Sequence, residues 1–261
     1  MTFGATTSAE RRAGPRERFA RGCDAFGTVA VPRLSRPFAV RTHTDTNTPS
    51  LTFDDGPDPE VTPRLLRLLD ACGVRATFFV IGERAARYPS LVAQIAEAGH
   101  AVGNHSWTHA PPWRLSRRRQ LVEYERTGRL LRRLTGQPSD RVRPPYGMHT
   151  PTLDGWAVRR GVVVWMWARM PPDYRSDCPN DRIAADLRRA RPGEIVCLHE
   201  RLRTVELVAD YLASLPDGSR SRSSNTPAIS TGQTAVASQW TSANIPPSLS
   251  GTNLPQLTPS E

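Results

Sequence analysis

The chain has 261 residues, enough for one large domain or two small ones, and carries a formal net charge of +10. All 35 of its basic residues are Arg, spread along the chain rather than gathered in a stripe with aromatic residues. This distribution argues against a nucleic-acid partner and leaves an anionic polymer open. No run of about 18 apolar residues occurs, so no transmembrane segment is predicted.

Composition divides the chain into three regions. Residues 1–46 form an Arg-rich N-terminal arm with weak periodicity, and residues 47–214 carry the periodic segments. Residues 215–261 are rich in Ser, Thr and Pro, with few large apolar side chains. Such a tail cannot bury enough surface to offset its ordering entropy, so it is predicted to be disordered.

Strand-like and helix-like segments alternate along the middle region. Runs of apolar residues predict strands over residues 49–53, 75–82, 100–104, 162–167 and 194–198. Amphipathic segments predict helices over residues 62–73, 89–99, 116–136, 150–161, 181–190 and 203–214. Thr62 and Thr150 are the predicted N-caps of two of these helices, each followed by Pro. The alternation predicts an α/β fold with a parallel sheet, either open and doubly wound or closed into a barrel.

Polar residues that could take part in catalysis or metal binding follow the predicted strands. Each lies at or after the C-terminal end of a strand, or in the loop before the next helix: Asp54, Asp55, His105, His109, Arg143, Tyr146, Asp173 and His199. In a parallel barrel these strand ends share one face, and that face carries the active site.

The spacing of His105 and His109 suits a metal site. Residues at i and i+4 face the same way on a helical turn, so the two imidazoles could bind one ion. The zinc-protease motif HExxH has the same spacing, but Ser106 replaces its Glu. A third ligand is needed, and the carboxylate of Asp55 is the candidate.

The adjacent acids Asp54 and Asp55 allow two interpretations. Asp, Gly and Pro are turn residues, so "DDGP" alone favours an acidic turn. Neighbouring side chains on a strand point to opposite faces, so the two carboxylates could instead divide a chemical task.

Several other residues are predicted to be structural. The four cysteines form no CxxC pair, which argues against a zinc ribbon, and Cys197 in "EIVCLH" is read as a small buried hydrophobe. His100 is expected to be structural. Trp165 and Trp167 share one strand face, and of the two Trp167 is placed within reach of the site.

Five motifs resemble, in order, those of the NodB-like polysaccharide deacetylases, carbohydrate esterase family 4. They are "TFDDGP", "HSWTH", "RPPYG", an Asp-aromatic pair after a Trp-bearing strand, and "CLH". The resemblance covers residues 49–212, and the first three motifs are highly specific together.

The resemblance implies a distorted (β/α) barrel that removes acetyl groups from N-acetylated sugars with the help of a metal. It implies that Asp54 is the general base and that Asp55, His105 and His109 hold the metal. Arg143 pairs with the base, and the backbone N–H of Tyr146 stabilises the oxyanion. His199 is the general acid, oriented by Asp173. The acetyl pocket is lined by Leu198 and Tyr174, and Trp167 adds to substrate binding.

The sequence departs from the family pattern at two places. Met170 stands at the first acid position of the fourth motif, and Tyr174 stands where the family has Trp. After the last predicted helix, "SLPDGSRSRSSNTP" replaces the family's final strand, so a barrel edge is predicted to be exposed.

The resemblance implies a divalent metal, with zinc the first choice and cobalt, nickel or manganese alternatives. The implied substrate is an N- or O-acetylated polysaccharide or oligosaccharide, and chitin oligomers, peptidoglycan and acetylated xylan all stay open. The alternative function is a sugar-binding pseudoenzyme that has lost turnover with the final strand. No apolar signal segment follows the N-terminal arginines, so the chain as written is expected in the cytoplasm. An upstream start would instead predict an extracellular or cell-wall location.

Overall fold

Parallel strands alternate with helices throughout the part of the chain that the computed structural model describes, residues 40–215. The strands are β1 (Val40–Arg41), β2 (Ser50–Gly56), β3 (Thr77–Val80), β4 (Ala101–Asn104), β5 (Arg141–Val142), β6 (Val163–Trp165) and β7 (Ile195–His199). The helices are α1 (Val61–Ala71), α2 (Gly82–Arg87), α3 (Pro89–Glu97), α4 (Arg117–Thr135), α5 (Pro151–Arg160), α6 (Asn180–Arg188) and α7 (Leu202–Ala213). None of the helices described over this range is long and apolar enough to cross a membrane.

Helix ends follow the local sequence signals in α4 and α5. The Ser116 hydroxyl accepts a hydrogen bond from Arg119 N at 3.3 Å, and Gly136 ends α4 with a φ of 72°. Thr150 caps α5 in the same way. The prediction for Thr62 was wrong, because Glu60 precedes α1 and Thr62 lies inside its first turn.

The seven described strands form one sheet in the order β1–β6–β5–β4–β3–β2–β7. Every pairing in it is parallel. The sheet curls so that residues just after β6 meet β7: Ala168 N donates to Ile195 O at 3.0 Å, and Cys197 N donates to Arg169 O at 2.9 Å. The sheet is therefore a distorted parallel barrel with its helices outside, as the sequence predicts.

The outer edge of β7 is covered, contrary to the exposed edge predicted for a barrel without its final strand. No strand follows α7 within residues 40–215. Arg169 bridges to Val196 on that edge, and Thr42 O accepts a hydrogen bond from Ile195 N at 3.1 Å. Segments from elsewhere in the chain therefore provide hydrogen-bond partners for backbone groups of β7. These are the groups that the absence of a final strand was expected to leave unpaired.

The sheet begins earlier than the boundary predicted at residue 47. Val40 and Arg41 pair with β6, and Thr44 N donates to Gly193 O at 2.8 Å. The end of the predicted arm is therefore part of the barrel. Residues 1–39 of that arm lie outside the described residues, as does the predicted tail from residue 216 onward.

Two apolar layers fix the barrel. The larger lies between the sheet and the helices and includes Leu51, Phe53, Leu65, Leu69, Phe78, Val80, Val196 and Leu198. The smaller fills the inside of the barrel with Phe79, Trp165 and Ile195. A Cβ on Gly103 of β4 would lie 2.4 Å from the Phe79 ring, so only glycine fits beside that ring. The strand ends above this inner layer carry the polar residues.

Candidate active site

Asp54 and Asp55 lie near the C-terminal end of β2 with their carboxylates on the same side of the sheet. Asp55 adopts the left-handed conformation with a φ of 71°, and the pairing with β3 shifts register between Asp54 and Gly56. His105 Nε2 lies 3.8 Å from Asp54 Oδ2 and 3.6 Å from Asp55 Oδ1. The expectation that the two acids face opposite ways was therefore wrong, because a bulge turns Asp55 inward. Such a backbone costs about 1–3 kcal/mol and is typical of functional sites.

The side chains of Asp55, His105 and His109 converge on one point. Ligand atoms of all three lie within 4.8 Å of one another, and Asp55 Oδ1 is 3.2 Å from His109 Nε2. Ligands on a tetrahedral zinc are about 3.5 Å apart, given bonds of about 2.1 Å. Asp55 Oδ1 is also buried without a hydrogen-bond partner. The spacing and donor atoms of the three residues therefore fit a divalent metal.

Protonation in this cluster suits metal binding. Burial opposes ionisation of Asp55, but the nearby His105 and the charges of the neighbouring histidines leave its pKa below the ordinary value. Burial, together with the nearby His105, lowers the pKa of His109 to about 4. An ionised carboxylate and a neutral imidazole are the forms that bind a metal.

The two histidines lie on a loop after β4, not on the helical turn expected from their i, i+4 spacing. Ser106 and His109 have φ values of 64° and 57°. Ser106 N donates to Asn104 Oδ1 at 3.0 Å, and His109 N donates to Ser106 Oγ at 3.1 Å. Glu123 of α4 accepts from Thr108 N at 2.6 Å. Hydrogen bonds to short polar side chains and to α4 thus hold a non-helical loop in place.

Arg143 is fully buried and connects the metal cluster to Asp54. Its carbonyl oxygen accepts a hydrogen bond from His105 Nδ1 at 2.8 Å, which turns Nε2 towards Asp55. Its Nη1 donates to Asp54 Oδ1 at 2.7 Å, and its Nε donates to Trp165 O at 3.1 Å. The guanidinium lies 4.2 Å from the centre of the Phe79 ring. Arg143 therefore fixes the direction of both His105 and Asp54.

His199 ends β7 beside Asp54 and is paired with Asp173. Its Nδ1 donates to Asp173 Oδ1 at 2.8 Å, and its backbone N donates to Oδ2 at 2.8 Å. Thr204 Oγ1 also donates to Oδ2 at 2.8 Å. Burial of the imidazole opposes its charge, but Asp173 raises the pKa of His199 to about 9. His199 is therefore protonated at neutral pH.

Aromatic side chains surround the rim of this cluster. The ring of Tyr146, 41% exposed, lies 4.7 Å from that of His109, and Tyr146 has a φ of 59°. Trp113, 50% exposed, lies 6.2 Å from the Tyr146 ring. Tyr174 lies 5.3 Å from the His199 ring. Trp167 is partly buried and lies 5.7 Å from the Arg143 guanidinium, between the core and the site.

The structure does not place Leu198 at the site. Its side chain is fully buried in the layer between the sheet and the helices, with Phe53 and Val196. The prediction assigned it to the wrong face of β7, because His199 points inward and side chains alternate along a strand. The inward residue is Cys197, whose Sγ donates to Asp54 Oδ2 at 3.3 Å.

Sequence reasoning missed three residues that support the site, namely Thr52, Cys197 and Glu123. Thr52 and Cys197 each lie two positions before a predicted catalytic residue, so strand alternation would have found both. Thr52 Oγ1 accepts from Arg143 Nη1 at 2.7 Å. Nothing in the local sequence links Glu123 to the histidine loop, since it comes from the next helix.

Comparisons with known proteins agree with the geometry. The family model for polysaccharide deacetylases matches residues 41–165. A peptidoglycan-N-acetylglucosamine deacetylase of Bacillus cereus is 33% identical over 150 residues, which are 58% of this chain and 54% of the relative. A chitooligosaccharide deacetylase of a Bradyrhizobium species is 34% identical over 168 residues, covering 62% of this chain and 77% of the relative.

A solved structure shares the barrel. The family 4 carbohydrate esterase from Streptomyces lividans, in complex with acetate, is 32% identical with a TM-score of 0.59. The match covers 64% of this chain and 89% of that one. This chain spans about half the length of the Bacillus cereus relative, 54%. The motifs, the barrel and these matches agree that the chain belongs to the polysaccharide deacetylase family, carbohydrate esterase family 4.

Proposed function

We propose that this chain is a metal-dependent hydrolase that removes N-acetyl groups from a polysaccharide or oligosaccharide. The observation that carries the proposal is one group of residues at the strand ends. Metal-binding atoms of Asp55, His105 and His109 converge beside the buried carboxylate of Asp54. His199, charged at neutral pH, lies next to Asp54 on the neighbouring strand.

A divalent metal held by Asp55, His105 and His109 would polarise the acetyl carbonyl and lower the pKa of a water molecule. Two imidazoles and one carboxylate suit zinc best, and cobalt or nickel would also be accepted. His105 Nε2 lies 3.8 Å from Asp54 Oδ2, so a metal held by these residues would lie close to that carboxylate.

Asp54 is assigned as the general base. Its Oδ1 is bound by Arg143, and its Oδ2, which also accepts from the Cys197 thiol, lies on the side of His105 and would take a proton from the attacking water. A base must lie within hydrogen-bond reach of the proton that it removes. Arg143 holds the Asp54 carboxylate in this direction.

His199 is assigned as the general acid. Amide hydrolysis expels an amine, which leaves poorly unless it is protonated. The Asp173 hydrogen bond to Nδ1 leaves Nε2 of His199 to donate that proton. The backbone N–H of Tyr146, on a turn with positive φ, is assigned to the oxyanion.

The substrate is proposed to be a polymer that contains N-acetylglucosamine, such as chitin oligomers or peptidoglycan. The names of the two relatives support this class. The exposed rings of Trp113 and Tyr146 beside His109 also support it, since they offer flat apolar surfaces for sugar rings. Tyr174 beside His199 would contact the acetyl group.

Acetate release tests the proposal. Purified chain is stripped of metal, reloaded with one equivalent of zinc, cobalt or nickel, and incubated with chito-oligosaccharides, peptidoglycan or acetylated xylan. We expect release from an N-acetylated substrate only with metal present. Substrate binding without release by the folded, metal-loaded chain would contradict the proposal and indicate a sugar-binding protein.

A further inference from the structure

We propose that Asp54, Cys197 and His199 form a second zinc site, separate from the site of Asp55, His105 and His109, whose occupation blocks the reaction. The three residues come from adjacent strands: Asp54 ends β2, and Cys197 and His199 lie on β7. Register pairs Asp54 with His199 and Thr52 with Cys197, so the inward side chains lie next to one another.

The distances match a zinc coordination sphere. Ligand atoms of the three residues lie within 4.8 Å of one another, and Cys197 Sγ is 3.3 Å from Asp54 Oδ2. Ligands on tetrahedral zinc are about 3.5 Å apart, because Zn–N and Zn–S bonds are about 2.1 and 2.3 Å. Thiolate, imidazole and carboxylate are also a donor set that favours zinc over magnesium or calcium.

The hydrogen bond made by His199 Nδ1 is of the kind that a zinc-binding histidine makes. Metal-binding imidazoles commonly donate their second ring N–H to a carboxylate, which fixes the ring and the tautomer. Here Nδ1 donates to Asp173, which Thr204 holds in turn. Nε2 is the remaining ring nitrogen, and it can bind an ion between His199 and Asp54 once it has lost the proton of the charged imidazole.

The second site is expected to be weaker than the first. Arg143 already binds the other oxygen of Asp54 and places a positive charge nearby. The Cys197 thiol, 1% exposed, must also lose its proton as the sulfur–zinc bond forms, and burial raises the pKa of this thiol well above its ordinary value. Nε2 of the charged His199 must lose its proton as well, so each zinc bound there releases two protons to solvent.

Zinc at the second site would inhibit the reaction because two of its ligands, Asp54 and His199, are the proposed base and acid. This inference rests on the proposed function. Asp54 would no longer accept a proton, and His199 would no longer donate one. When free zinc is about ten times the dissociation constant of this site, about nine-tenths of the sites are filled and the rate falls about tenfold.

The test counts metal ions independently of activity. Zinc binding by calorimetry and cobalt binding by absorption spectroscopy are measured on the full chain, the Cys197→Ala variant and the Cys197→Ser variant. The Cys178→Ala variant is the matched control, since Cys178 is also buried but lies in a separate cluster with Ile183 and Leu207.

We expect the wild-type chain and Cys178→Ala to bind two ions, the second with a thiolate-to-cobalt charge-transfer band. We expect either Cys197 variant to bind one ion without that band, and its rate to be insensitive to excess zinc. Cys197→Ser keeps a hydroxyl that can donate to Asp54, so it serves if Cys197→Ala does not fold.

Two results would overturn the proposal: a single ion and no thiolate band in the wild-type chain, or two ions and unchanged zinc inhibition in a folded Cys197 variant. Failure of the proposed deacetylase function can be distinguished from failure of the second zinc site. A chain that binds two ions with the thiolate band, yet releases no acetate, keeps the second site and loses the deacetylase activity.

Discussion

Substituting Asp173 by Asn should move the alkaline limit of the reaction. Burial lowers the pKa of His199, but the Asp173 carboxylate, together with the charges of Asp55 and Asp54, raises it from 6.5 to about 9. This difference corresponds to a preference for the charged imidazole on the order of 3 kcal/mol. Asn removes the negative charge while burial remains, so the pKa should fall to 6.5 or below.

A general acid must be protonated, so kcat/KM falls as pH rises through its pKa. The assay is acetate release from chito-oligosaccharide across the pH range, with one equivalent of zinc. The alkaline limb should lie near pH 9 in the wild-type chain and at least about two pH units lower in Asp173→Asn. Thr204→Val is the control, because it removes a hydrogen bond to Asp173 but keeps the charge. A folded Asp173→Asn variant with an unmoved alkaline limb would refute the assignment of His199 as the acid.

Three further perturbations follow from the geometry. Arg143→Met leaves Asp54 buried without its cation, so urea unfolding of the metal-free variant should show a loss of about 3–5 kcal/mol; a loss below about 1 kcal/mol would argue against the buried pair. Folding raises the pKa of His199 to about 9 and, through burial, that of Glu200 to about 8. Stability from both groups should therefore be lost as pH rises through 8 and 9, and a free energy of unfolding that is flat from pH 6 to 10 would contradict this. Trp113→Ala should raise KM for long oligomers about fivefold with little change in kcat, as expected for about 1 kcal/mol of apolar contact; an unchanged KM would exclude Trp113 from the substrate surface.

Local signals predicted six of the seven helices and five of the seven strands described over residues 40–215, but not α2 or the two-residue strands β1 and β5. Ser116 and Gly136 bound α4 because a side-chain cap and a left-handed glycine act within a few residues. The alternation of strands and helices predicted a parallel barrel, and parallel strands place all their C-terminal ends on one face. The acids and histidines at these strand ends could therefore be proposed as one group before any distance was known.

Non-local packing decided what the sequence did not predict. The sequence "TFDDGP" does not indicate that Asp55 adopts a positive φ. The bulge is visible only in the register of β2 against β3. The covering of β7 by Thr42 and Arg169 joins segments far apart in sequence. Leu198 was assigned to the wrong face, although counting alternate residues back from His199 would have placed Cys197 inward instead.

The most direct test of the roles assigned to the two acids and the histidines is to measure metal content and turnover together. The two variants to compare are Asp54→Asn and His109→Ala. Asp54→Asn removes the base but leaves Asp55, His105 and His109, so it should keep one tightly bound ion and release no acetate. His109→Ala should lose both the ion and the activity. An active Asp54→Asn variant, or a His109→Ala variant that still binds the ion at the same affinity, would contradict the account.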